Sequence, residues 1–195
     1  MFNGEKYMNK TKRKIFETSM KLFAEKGYDA TSIEEITATV GVAKGTLYYH
    51  FSSKEEIFAF LVEEGMKLLK NSIIIKTDKL NKSIDKIRAI VLIQIKVLFK
   101  YENFITIILS QIWGNDERSK LCKKYVFEYI QMIEEIVKEG IDKGEIIEVD
   151  SNVIASGIFG FISSSFIYKM RHEGEIDVQK LFSEVDNTFI KKMMK

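Results

Sequence analysis

A chain of 195 residues with 46% hydrophobic and 30% charged residues and no Pro is long for a lone three-helix module and short for a multidomain enzyme. That composition suits one small head and one larger body, an all-α fold of about nine helices joined by glycine and polar turns, with no sheet. One Cys and two His exclude an intramolecular disulfide and a Cys/His metal set, so neither a metal nor a cofactor is expected.

In chain order, residues 1 to about 10 form a polar tail made basic by Lys6, Lys10, Lys12, Arg13 and Lys14, and lacking the apolar core of a signal peptide. The spacing predicts a first helix from about Lys10 to Lys26, with Ile15, Ser19, Leu22 and Phe23 as its buried stripe beside Phe16 and Met20, and with Gly27 as its end. Ser32 followed by Glu35 has the spacing of a capping box and starts a second helix. Ile33, Ile36 and Val40 share one of its faces, and Gly41 tolerates the left-handed backbone of a tight turn. A third helix runs from about Ala43 to Tyr49. Its inward side is thin, only Val42, Leu47 and Phe51, which leaves Lys44, Thr46, Tyr48, Tyr49 and His50 facing outward.

That outward set has the chemistry of duplex DNA recognition. Lys bonds base edges or phosphates, Thr and Tyr hydroxyls donate to phosphate oxygens, and a short helix presents its first residues to the major groove. Gly45 costs such a helix about 1 kcal/mol relative to Ala, which suggests a close approach to a partner. Ser53 and Glu56 form a second capping box, opening a fourth helix with Lys54 in its first turn as a further phosphate contact. Charge follows the same division: nine Lys and Arg against six Asp and Glu give residues 1–54 a charge of +3, and the remainder carries −1.

From about Ile15 through Phe58 the chain resembles the TetR family of bacterial transcription regulators. The resemblance rests on KLFAEKGYDATS, IEEITATVGV, KGTLYYHF and SKEE. It implies a helix-turn-helix head over residues 1–54, and a helical body over 55–195 that dimerises and binds a small ligand. It also implies that Ser32, Lys44, Gly45, Thr46, Tyr48, Tyr49, His50 and Lys54 are the DNA-binding residues. The basic tail is then either solvated or an arm near the minor groove. Ala43 departs from the family, which often has a polar residue at that place.

The fourth helix should reach about Asn71, with IIIKTDKLNKS (73–83) as the loop after it. The fifth, Ser83 to Tyr101, is apolar over most of its circumference and therefore central. The sixth, Asn103 to Trp113, and the seventh, Asp116 to Lys143, bring further aromatic residues. Aromatic residues at helical spacing read first as core. The resemblance makes Phe99, Phe104, Trp113, Tyr125, Tyr129 and Met132 candidates for an apolar ligand pocket among helices four to seven.

Asp150 or Ser151 should cap an eighth helix whose stretch from Ser151 to Tyr168 is free of charge but holds five Ser and one Asn, too polar for a typical membrane span. Its small residues Ser156, Gly157, Gly160 and Ser164, flanked by Phe161, join Phe182, Val185 and Phe189 of a ninth helix (177–194) as the expected interface of a homodimer.

The expectation is a cytoplasmic, homodimeric repressor that a small hydrophobic effector releases from a palindromic operator, outside any membrane. An activating or ligand-independent regulator is the nearest alternative, and a helical ligand-binding protein without DNA activity a further one. Enzyme chemistry is not expected. His50 sits in the DNA-reading stretch, His172 lies near the end of the eighth helix as a surface residue, the Glu-x-x-His pattern of di-iron bundles is missing, and GVAKGT lacks the strand and the Gly-Lys-Ser/Thr ending of a phosphate loop.

Overall fold

The computed structural model describes residues 9–172 and 177–195; the basic tail up to Met8 and the side chain of His172 lie outside the described residues. The described chain is helical: α1 (Lys10–Lys26), α2 (Ile33–Val40), α3 (Lys44–His50), α4 (Lys54–Thr77), α5 (Ser83–Lys100), α6 (Glu102–Gln111), α7 (Glu117–Asp142), α8 (Ser151–His172) and α9 (Val178–Val185). A π turn at Asp186–Ile190 and a 3₁₀ turn at Lys191–Met193 follow. The all-α class read from the sequence is the observed one; β pairing among the described residues amounts to one bridge, between Ile146 and Met194.

The chain forms two compact units, Met1–Leu68 with Tyr101–Tyr125, and Leu69–Lys100 with Val126–Lys195. The first unit therefore continues past residue 54, where the sequence placed a boundary. Its extension follows from packing, because α1 lies against α6, and Ile15, Leu22 and Phe23 share the unit's buried core with Phe58, Phe104, Ile107 and Ile108. Asn9 caps α1 by accepting from the Lys12 amide at 2.8 Å. Gly27, at φ 86°, lets the chain leave α1 while its N–H still bonds Phe23. Thr31 closes the following turn, its hydroxyl donating to the Gly27 carbonyl at 2.8 Å.

Two expectations about helix ends change. The loop expected from Ile73 is helix as far as Thr77, because Ile73 is buried one turn after Leu69 and tertiary burial outweighs the modest helix propensity of a β-branched run. The ninth helix is not one α-helix. Leu181, Val185, Ile190 and Met193 are all buried, and the five-residue step from Val185 to Ile190 fits a π turn rather than an α turn.

In the second unit α5 packs against both α8 and α9, burying Ile84, Ile87, Ile90, Val91, Ile95 and Leu98. Polar pairs fix its rotation. Glu145 accepts from the Ser83 amide at 2.6 Å, Lys86 pairs with Glu139 at 2.9 Å, and Arg88 with Asp186 at 2.7 Å. Deep in the unit the Tyr129 hydroxyl donates to Gln94 Oε1 at 2.7 Å, which satisfies both groups out of water. Of the two cap candidates for α8, Asp150 is the one used, accepting from the amides of Asn152 and Val153.

Gly65 faces Phe104 so closely that an added Cβ would lie 2.3 Å from the ring. Gly65→Ala should therefore lower stability by about 1–3 kcal/mol through overpacking, read as a shift of the urea midpoint with the slope unchanged.

Candidate nucleic-acid interface

The helix-turn-helix is assembled from local signals. Ser32 accepts from the Glu35 amide at 3.0 Å and starts α2. Gly41, at φ 77°, turns the chain and bonds back to Thr37. After α3, Ser53 accepts from the Glu56 amide at 3.1 Å. The Glu56 carboxylate then reaches back to Ser52, taking both its amide and its hydroxyl at 2.6 Å, so this box closes one residue earlier than its spacing suggests.

Within α3 only Leu47 is buried, and Phe51 just beyond it is buried too. Tyr49 is 84% exposed and Tyr48 45%. Lys44, Gly45 and Ser32 are exposed, while Thr46 and His50 are half-buried, and the His50 ring lies edge-on to Tyr49 at 5.0 Å. Ala43 gives α3 no side-chain cap, as its departure from the family pattern foreshadows. An alanine Cβ at Gly45 would meet nothing within 4 Å, so packing inside the chain does not require glycine there.

Electrostatics adds two features that the sequence did not reveal. Lys44 donates to the Glu34 carboxylate of α2 at 2.5 Å; this one bond lowers the Glu34 pKa and raises the Lys44 pKa. Lys54 points back into its own unit. Its ammonium donates to the carbonyls of Tyr28 at 2.9 Å and Thr31 at 2.8 Å, and sits 4.2 Å from the centre of the Tyr28 ring. Lys54, expected to contact phosphate, thus fastens the turn before α2 onto the start of α4 in this structure. Arg118 also lies over the Tyr28 ring, with Cζ 4.1 Å from its centre. The Tyr28 hydroxyl donates to Glu55 at 2.8 Å. Burial, then that bond to an anion, raises the Tyr28 pKa well above the usual phenol range.

The body residues singled out from the sequence divide between the two units. Phe104, Trp113 and Tyr125 belong to the first unit, and Phe99, Tyr129 and Met132 to the second. Phe104 is core under Gly65, and the Tyr129 hydroxyl is already taken by Gln94. Trp113, a candidate for the ligand pocket, is 89% exposed after α6. Phe99, Tyr125 and Met132 are half-buried. On α8, Ser156, Gly160, Phe161 and Ser164 are exposed and Gly157 half-buried, as are Phe182 and Phe189 further on. Phe161 and Phe189 stack at 6.2 Å. Val185 is sealed in its own unit and is withdrawn from the expected interface. Val153, Ile167 and Tyr168, missed in the sequence, extend the exposed α8 stripe at helical spacing.

These features define a class, an all-α protein with an N-terminal helix-turn-helix whose second helix presents polar and aromatic side chains outward. Residues 15–61 match the pattern of bacterial regulatory proteins of the tetR family. A protein of Clostridium perfringens described as a regulator of fatty acid metabolism is 32% identical, with a TM-score of 0.87 over 93% of this chain and 99% of that one. The chain belongs to the TetR family. IcaR of Staphylococcus aureus (strain Newman), named as the negative transcriptional regulator of the biofilm operon icaADBC, is 42% identical over 74 residues, which make up 38% of this chain and 40% of IcaR. The chain thus matches less than half of that relative's length. AibR, in its crystal structure with isovaleryl coenzyme A and operator DNA, shares the fold at 20% identity, with a TM-score of 0.79 over 95% of this chain and 98% of AibR.

If Lys54 is a structural tie, Lys54→Ala should lower the melting temperature by a few degrees, since the Thr31 carbonyl loses its charged donor and the Tyr28 carbonyl keeps only the Thr31 amide. The slope of DNA affinity against salt should stay within about half an ion of wild type, whereas loss of a true phosphate contact would reduce it by about one per half-site.

Proposed function

We propose that this protein is a sequence-specific transcriptional repressor that binds a palindromic operator as a homodimer and is released by a small, mostly hydrophobic ligand. One observation carries the reading: α3 buries a single residue, Leu47, and leaves Lys44, Tyr48 and Tyr49 exposed over a supported scaffold. A helix with so little inward surface gains its use from what covers the other side. In the major groove, Lys44 and Thr46 meet base edges while Tyr48 and Tyr49 bond phosphates on either side. Gly45 lets the DNA backbone approach without a side chain between them.

The dimer is supported by the exposed α8 stripe. Ser151–Tyr168 has a mean hydropathy of 1.3, yet only 28% of it is buried within its own chain. An apolar, small-residue face of this length is satisfied by its two-fold copy, with Phe161 and Phe189 at the contact. Two recognition helices about one DNA turn apart, or a multiple of it, then sum their free energies on a symmetric site. Ligand coupling is reciprocal: a molecule that favours another spacing of the heads weakens operator binding, and operator weakens its binding by the same factor. The ligand's apolar character is supported by the C. perfringens relative, described by fatty acid metabolism.

Fragments of the source genome enriched on the full chain should yield a palindrome bound in gel shift at nanomolar protein; enrichment of no sequence ends the proposal. Gly45→Ala should keep or raise thermal stability, because alanine gains up to about 1 kcal/mol in a helix, and should weaken operator binding by tenfold or more on the order of one lost close approach. Sedimentation at micromolar concentration should give a dimer. Val153→Glu with Ile167→Glu should shift it to monomer while leaving the helical circular dichroism intact.

A further inference from the structure

The turn Tyr28–Thr31 leads directly into the Ser32 cap of α2, so whatever holds this turn sets where α2, and with it α3, points. Apolar packing leaves it partly unsupported. A cleft of about 340 Å³ opens between the turn and α6, with Tyr28, Asp29 and Ala30 on one side and Ile107, Ser110 and Gln111 on the other. The turn is instead held by ions on two sides. Lys54 takes its carbonyls from the start of α4. From the start of α7, Arg118 lays its guanidinium on Tyr28 and donates through Nη1 to Asp29 at 2.9 Å.

Arg118 is itself fixed. Its Nε and Nη2 donate to Asp116 Oδ2 at 3.0 and 2.5 Å, while Asp116 Oδ1 accepts from the amide and hydroxyl of Ser119 and so caps α7. The Ser119 hydroxyl and amide, with Arg118, hold the Asp116 carboxyl well below its usual pKa. The guanidinium thus commits three of its five N–H groups and its contact with the Tyr28 ring within the unit. Its links run between the first turn of α7, a helix that continues unbroken to Asp142, and the residue before α2 begins its approach.

We propose that Arg118 is a positioning residue for DNA reading: by clasping Tyr28 and Asp29 to the Asp116 cap, it fixes the orientation of the helix-turn-helix on the α6–α7 corner without touching DNA. This rests on the DNA-binding dimer proposed above. Its consequence is specific to paired sites. One helix-turn-helix on one half-site needs only its own α2 and α3, whereas two on a palindrome must agree on spacing, and a loosened turn gives up that agreement.

The test uses the full-length protein and duplexes carrying the enriched half-site alone, or paired at the native spacing, or paired with one or two base pairs added or removed. Arg118→Ala and Asp29→Asn, confirmed as folded by thermal melting, should bind the native palindrome about tenfold more weakly while the isolated half-site is bound as by wild type. Their preference for the native over the altered spacings should collapse toward one, with Arg118→Lys intermediate because it keeps charge but not the fork or the stacked face. Equal losses on palindromes and single half-sites, or no loss on either, would overturn the inference while leaving the regulator reading intact. Wild-type protein that distinguishes none of the duplexes would overturn both.

Discussion

A seven-residue helix cannot hold itself together in water, where isolated helices become stable only beyond about 12–15 residues. For α3 the constraint is sharper still: it has no side-chain cap and buries one residue. It persists because both flanks are built firmly. Gly41 and the Ser32 cap fix α2 on one side, Phe51 and the Ser53 cap fix α4 on the other, and Leu47 is the peg between them. The exposure of Lys44, Tyr48 and Tyr49 follows from this economy. Every side chain not needed as a peg is free to serve as a contact surface.

The first unit uses cations as fasteners more than as binding groups. The Tyr28 ring takes both Lys54 at 4.2 Å and Arg118 at 4.1 Å, and its hydroxyl holds Glu55. A cation over an aromatic ring is attracted by the ring's quadrupole, and the contact is stronger where it is desolvated. The two lysines of the helix-turn-helix consequently divide their labour. Lys54 spends its donors on backbone carbonyls, whereas Lys44 rests on Glu34 in an exposed pair of the kind worth less than about 1 kcal/mol, which a phosphate or a base edge can replace.

The second unit shows the opposite balance. Its core is aliphatic along α5, and its buried polar pair, Tyr129 with Gln94, is satisfied internally rather than aimed at a cavity. What remains uncovered lies on α8, where small and apolar residues at helical spacing stay exposed. The same α8 that contributes Ala155, Ile158, Ile162 and Phe166 to the core therefore carries a second apolar face, and a helix apolar on two sides needs two partners.

Sequence alone determined the class, the order of the helices, and the stretch that faces DNA in the proposed reading. Caps and glycine turns are local signals: Ser32 with Glu35, Ser53 with Glu56, Gly27 and Gly41 act within four residues of themselves, so spacing reveals them. Tertiary structure decided what depends on distant partners. Burial of Ile73 carried α4 beyond its expected end, and the spacing of Val185 and Ile190 widened the chain into a π turn. Packing left Trp113 exposed, and burial removed Val185 from a dimer face. The purpose of Lys54 and the presence of Arg118 beside Tyr28 were out of reach of any local pattern. A side chain four or more bonds long can bind phosphate or its own backbone with equal chemistry, and residues 28 and 118 meet only because the fold brings them together.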